Sequence, residues 1–240
     1  MSERHSPFSQ QPILTWTLLS INIALFVLPW LADMLAGTTI QAALLDLGAK
    51  DNLLIARGGQ YYRFLSAMFL HASVTHILFN GFALYSLGRE VERAYGHGRF
   101  AAVYFIAGLG GGVASYLTNP SPSVGASGAI FGLIGALGAV YVVSRDVFGS
   151  AGRQMLGSLM FTILINLGLG LTTPLIDNAA HIGGLIVGAI VGWGLAPRLS
   201  FDQLHTPPQL RRDFLAIGWP IAAVVLLGLV GIALTLTPPL

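Results

Sequence analysis

The sequence predicts an all-α bundle of membrane-spanning helices, and three observations carry that prediction. Of 240 residues, 54% are hydrophobic and only 9% are charged, whereas soluble domains carry about a quarter charged residues. So few charges cannot cover a water-facing surface, and the mean hydropathy of +0.73 agrees. Apolar runs of spanning length recur along the chain, each closed by charged or Pro/Gly-rich breaks. The 30 glycines suit helices that pack closely in lipid.

The elements follow in order. Residues 1–12 form a polar tail. The apolar run that starts at Ile13 has roughly the 20-residue length of a span and no small-residue cleavage site after it, so it reads as a retained first helix, Ile13–Leu35, that also directs insertion. The second helix is Ser73–Leu87, with Gly88 to Tyr95 extending it into the interface. Phe100–Leu117, Ser127–Ser144, Met155–Leu171 and Asn178–Ala196 complete a six-helix core over 13–197, and Phe214–Leu236 makes a seventh span within 214–240. The Arg198–Asp213 stretch, with Pro207 and Pro208, is a polar connector.

The loop from Ala36 to Ala72 is long and apolar, with an aromatic cluster at Tyr61, Tyr62 and Phe64. Long loops are usually functional and aromatics favour the headgroup level, so it is expected to lie partly in the interface.

Basic residues set the orientation. With the N-terminus cytoplasmic, that side holds Arg4, Arg89, Arg93, Arg99, Arg145, Arg153, Arg198, Arg211 and Arg212, against Lys50, Arg57 and Arg63 on the other. Ser127 and His181 then both lie toward the outer face. Lys50 is the only lysine and has no role in this reading. The absence of cysteine removes disulfides, thiolate nucleophiles and thiolate metal sites. A formal charge of +2 gives no case for nucleic acid.

Polar side chains inside spanning helices are costly, and Ser127, His181, His76 and Asn80 stand out. Ser127, in Gly125-Ala126-Ser127-Gly128, opens a helix whose first amides are unpaired and carry partial positive charge. It reads either as an N-cap or small packing residue, or as a nucleophile beside ready oxyanion donors. His181 borders a stripe of Ala180, Gly184, Gly188 and Gly192 that invites close helix approach. The fourth helix offers a matching small face at Gly128, Gly132, Gly135 and Ala136. Joining the two faces brings His181 toward Ser127, where an imidazole can take the hydroxyl proton and return it to a leaving amine. Taken alone, a histidine reads more simply as one bonded to a backbone carbonyl; the match with Ser127 on a facing helix at the same depth turns the reading toward chemistry.

Asp177 precedes His181 by one turn and reads as an orienting third member or, more simply, as a helix cap. His76 and Asn80, four residues apart, share a helix face and can donate to an oxyanion or bond across helices. A metal reading of His71 and His76 is disfavoured, since a five-residue spacing on a helix separates them and no carboxylate is near in sequence.

Three segments together resemble the second, fourth and sixth helices of rhomboid intramembrane serine proteases. They are Leu70-His71-Ala72-Ser73-Val74-Thr75-His76-Ile77-Leu78-Phe79-Asn80, then Gly125-Ala126-Ser127-Gly128, then Ala180-His181-Ile182-Gly183-Gly184 with Gly188. The resemblance implies Ser127 as nucleophile and His181 as general base of a dyad that needs no aspartate. It implies an oxyanion hole from His76, Asn80 and the backbone amides of Ser127 and Ala126, with Gly125, Gly128, Gly184 and Gly188 in support. Glu92 resembles the family's structural glutamate. Where the family has a Trp-Arg pair in the first loop, this chain has Tyr62-Arg63, which implies looser anchoring there.

The implied reaction is hydrolysis of transmembrane segments of single-span proteins through an acyl-enzyme, in a multi-pass cell membrane of the bacterial inner-membrane kind, with no metal or cofactor. Two other readings are a catalytically silent relative that binds or chaperones membrane clients, and a small-solute transporter using His76, Asn80 and His181. The transporter reading is weakened by the absence of an internal repeat.

Overall fold

The hydrophobic runs dictate helices, and the computed structural model describes them over residues 11–173, 176–202 and 209–239. Arg4, Pro207 and Pro208 lie outside the described residues. In chain order the elements are α1 (Ile13–Ala36), α2 (Ile40–Leu47), α3 (Asn52–Ala56), α4 (Arg63–Ser66), α5 (Val74–Ala83), α6 (Arg89–Tyr95), α7 (His97–Thr118), α8 (Ser127–Val143), α9 (Arg145–Thr172), α10 (Asn178–Leu195), β1 (Arg198–Asp202), β2 (Gln209–Asp213) and α11 (Gly218–Thr235). Helices α1, α7, α9, α10 and α11 are each long and apolar enough to cross a membrane. Arg63–Phe69 and Val74–Tyr95 pass the same test as a joined pair, although they meet at 93°. The chain is a polytopic helical membrane bundle.

Helix α8 is the central element; at 17 residues, or about 25 Å at 1.5 Å per residue, it is shorter than the five helices α1, α7, α9, α10 and α11. Small residues let its neighbours close on it. A Cβ built on Gly184 would overlap the Gly128 carbonyl oxygen, and one on Gly188 would overlap Gly132 Cα. One on Gly192 would stand 2.6 Å from Ala136 Cα. The α8–α10 seam is thus backbone against backbone, the close approach that small-residue stripes permit in lipid. At one end of it the single proton of the Tyr95 hydroxyl is shared between Ala136 O at 2.8 Å and Gly192 O at 3.0 Å, tying three helices at one point.

Glu92 closes the other long-range joint. Its fully buried carboxylate accepts from the Leu14 amide at 2.9 Å, the Thr15 amide at 2.8 Å and the Thr15 hydroxyl at 2.7 Å, and it meets His97 Nδ1 at 2.6 Å. These amides belong to the first turn of α1, so Glu92 caps a helix 77 residues away in sequence. Glu92→Ala strands these donors and is expected to destabilise the protein by about 3 kcal/mol. Unfolding in mixed detergent micelles measures this, and a change within error of zero contradicts the cap.

The second helix runs on to Tyr95, as the sequence reading extended it, through one π-helical turn at Leu84–Gly88. Elsewhere the structure differs from that reading, and α11 starts at Gly218 rather than Phe214. The third helix starts at His97 rather than Phe100. Helix α9 begins at Arg145 rather than Met155, with a break at Gly149 (φ 53°, ψ −127°) that lets a charged turn precede the apolar length. The first loop holds three short helices, and within its aromatic cluster Phe64 is buried while Tyr61 and Tyr62 are exposed. The connector pairs as a two-stranded antiparallel hairpin, Arg198 opposite Asp213 through Asp202 opposite Gln209.

The last helix reaches back to the first loop. Ala233 of α11 packs with Ile55, Phe64, Val113 and Tyr116. Asn52 Nδ2 donates to Pro239 O at 2.8 Å and to Tyr116 O at 3.2 Å. Buried Arg63 holds the same loop from inside, donating through Nη1 to Leu45 O at 2.7 Å and Ala49 O at 2.8 Å.

Candidate active site

Ser127 stands where the chain turns into α8. Gly125 takes φ +126°, a conformation that disfavours side chains. Its amide is pinned to Ala67 O at 2.8 Å. Two residues later α8 begins, so Ser127 lies among first-turn amides without intrahelical acceptors. Its side chain is half-buried, and among the described residues its hydroxyl has no hydrogen-bond partner.

His181 lies in the first turn of α10, 6% exposed. The α8–α10 seam sets its ring flat against Phe131, with centroids 4.2 Å apart and planes 8° from parallel. Phe131 is four residues after Ser127 and therefore on the same face of α8. His181 Nδ1 is buried without a hydrogen-bond partner among the described residues. No hydrogen bond joins Ser127 and His181 in this arrangement, which is common before substrate tightens a site.

His76 and Asn80 come from α5. Ser73 caps that helix by accepting the His76 amide at 3.2 Å, which fixes its start at Val74. The two side chains point at Gly125: a Cβ there would stand 2.7 Å from His76 Nε2 and 3.4 Å from Asn80 Nδ2. Asn80 Nδ2 is buried and has no partner among the described residues. An orphaned buried donor is expensive and calls for a role. The first turn of α8 is therefore flanked by donors at Gly125 and by an imidazole at Phe131.

His71 departs from the sequence reading. Because α5 starts only at Val74, His71 lies in the bend before it, and its ring meets that of His76 edge-on with centroids 5.0 Å apart. Among the described residues no group of three His, Cys, Asp or Glu side chains is placed to hold a metal.

Asp177 is a cap. Its Oδ1 accepts the Ala180 amide at 3.1 Å and its Oδ2 accepts the Ser115 hydroxyl at 2.5 Å; it meets His181 only through the backbone, the His181 amide donating to Asp177 O at 3.1 Å, and no hydrogen bond joins its carboxylate to the His181 ring among the described residues. Burial pushes its carboxyl up, but the Ser115 and Ala180 bonds and the Lys50 ammonium outweigh burial and hold it below the ordinary value.

Lys50, left without a role by the sequence, is 2% exposed and ties the site's rim. Its Nζ donates to Asn119 O at 2.6 Å and Ser121 O at 3.0 Å, and its backbone exchanges two bonds with Ser123. The legible signal was a single lysine in an apolar loop. With Ser115, Ser123, Gly125 and Gly128 it lines a cavity of about 30 Å³, room for a water molecule.

Burial pushes the Lys50 ammonium down to about 8, against the pull of Asp177 and Asp51. The folded chain thus releases this proton earlier than the unfolded chain, so stability gains as pH rises from about 8 toward the free-lysine range. The melting temperature of wild type relative to Lys50→Met is expected to rise over that window, and a flat difference contradicts it.

A family model described as Rhomboid domain covers residues 58–198. Rhomboid protease GluP of Bacillus subtilis (strain 168) is 42% identical over 195 residues, 80% of this chain and 37% of that protein. RHOMBOID-like protein 6, mitochondrial, of Arabidopsis thaliana is 39% identical over 166 residues, 68% of this chain and 53% of that protein. Rhomboid protease AarA of Providencia stuartii is 30% identical over 247 residues, 88% of this chain and 83% of that protein. The chain thus spans between about a third and a half of the first two relatives.

Proposed function

The chain belongs to the rhomboid family, and on that premise we propose that it is an intramembrane serine endopeptidase with Ser127 as nucleophile and His181 as general base. The observation that carries this reading is the α8–α10 seam, which puts the His181 ring on Phe131, one turn along α8 from Ser127.

In the proposed reaction Ser127 Oγ attacks the scissile carbonyl carbon while its proton passes to His181. With Nδ1 buried, Nε2 is the nitrogen for that transfer. The carbonyl oxygen becomes an oxyanion, held by His76 Nε2, Asn80 Nδ2 and the amides of Ser127 and Ala126. Collapse breaks the C–N bond, and His181 returns the proton to the departing amine, leaving an acyl-enzyme. Water then attacks, again with His181 as base, and Ser127 leaves with its proton restored. The orphaned Asn80 donor supports this assignment, since an oxyanion gives it the acceptor that the resting site lacks.

The proposed substrate is a single-span membrane protein, met within the bilayer by a core spanning 13–197 with the helix of 214–240 added. The N-terminus is proposed to be cytoplasmic and the site to open outward, following the arginine bias. The test is cleavage of a fluorogenic transmembrane substrate in proteoliposomes. Cutting by wild type is expected. Binding of intact substrate without any cutting contradicts the proposal and favours a client-binding relative.

A further inference from the structure

A second cavity, of about 510 Å³, lies at the end of α8 remote from Ser127. That volume falls within the roughly 300–1,000 Å³ range of small-ligand sites. The proposed reaction makes no use of it. Tyr85, Arg89, Glu90 and Arg93 line one side and Tyr141 and Phe148 the other.

Arg89 and Arg93 are four residues apart and share a face of α6. The Arg89 guanidinium lies 4.5 Å from the Tyr85 ring centroid, and its five donors remain for another acceptor. Arg93 has no ion pair or hydrogen bond among the described residues. Glu90 is engaged already, accepting the Tyr141 hydroxyl at 2.5 Å. Two guanidiniums against one carboxylate leave the cavity one positive charge in excess. Its walls also include the apolar side chains of Leu137, Val140 and Phe148.

We propose that this cavity binds the phosphodiester of a membrane phospholipid, with Arg89 and Arg93 on the phosphate oxygens. Guanidinium forks match phosphate geometry and bind it through charge-assisted bonds. Basic pockets between spanning helices, at the level where headgroups lie, have the chemistry of headgroup sites. The apolar wall distinguishes this cavity from one built for a free anion, because it gives the first carbons of the acyl chains a surface to cover. A singly anionic headgroup balances the net charge of the three ionised side chains. Glu90 then faces the headgroup's own hydroxyls as an acceptor.

Native mass spectrometry of the full chain, purified free of lipid, tests this with phosphatidylglycerol titrated into the detergent. Wild type is expected to hold one lipid tightly, and Arg89→Gln with Arg93→Gln to weaken it by at least roughly tenfold. Arg153→Gln, at the same end but outside the cavity, is expected to bind as wild type does. Unchanged binding in the double variant, or an equal loss in Arg153→Gln, overturns the site. A parallel arm with inorganic phosphate names the source: phosphate displacing the lipid at similar concentration overturns the lipid as occupant. Should the double variant not fold, Glu90→Gln decides, since removing the like charge is expected to raise occupancy, and an unchanged or lower occupancy overturns the proposal.

Discussion

Ser127→Ala is expected to slow hydrolysis of a transmembrane substrate by at least about 10³-fold while leaving the melting temperature where it was. The Ser127 hydroxyl has no hydrogen-bond partner among the described residues, so its removal strands no donor or acceptor. Stability should therefore stay within about 0.5 kcal/mol. His181→Ala should lose activity to a similar degree but also some stability, because Phe131 loses the ring stacked on it. Nucleophile and base act as one unit, so the double variant should be no slower than the worse single variant. Rates of the three variants in one detergent decide this. Losses that multiply in the double variant contradict a shared step.

Gly188→Val is expected to cost more than about 3 kcal/mol of stability and to take activity with it. Ordinary overpacking costs about 1–3 kcal/mol because side chains shift aside. Here the first added carbon overlaps the Gly132 backbone, which has nowhere to move without separating α8 from α10. Separation also carries His181 away from Phe131 and Ser127. Two residues earlier, Ile186 is 53% exposed on the opposite side of α10, and Ile186→Val should be nearly silent. Unfolding of both variants in mixed micelles separates a packing seam from general sensitivity of the helix. Equal stability of Gly188→Val and wild type contradicts the seam.

Much of the bundle was legible because lipid imposes simple rules. Long apolar runs had to be helices, and the stripes at Gly128–Gly132 and Gly184–Gly188 could meet only each other's kind. Rare polar residues in such runs marked Ser127, His76, Asn80 and His181. What was hidden depends on partners distant in sequence. Glu92 was marked only by its resemblance to the family's structural glutamate, and the α1 amides it holds arrive from 77 residues away. Lys50 reads as an isolated cation until the Asn119–Ser121 turn supplies its acceptors. The charges at Arg145, Asp146 and Arg153 read as a loop, yet helical turns outside the apolar length tolerate them, so α9 starts ten residues early. Helical spacing never applied to His71 and His76, because Ser73 caps the helix that begins after His71.

Activation of Ser127 by His181 is read out by covalent labelling. The protein in detergent is treated with a serine-reactive fluorophosphonate, and the adduct is located by peptide mass spectrometry. One adduct is expected, on Ser127, absent in Ser127→Ala and formed far more slowly in His181→Ala. An adduct on another residue, or labelling of Ser127 at an unchanged rate without His181, contradicts it.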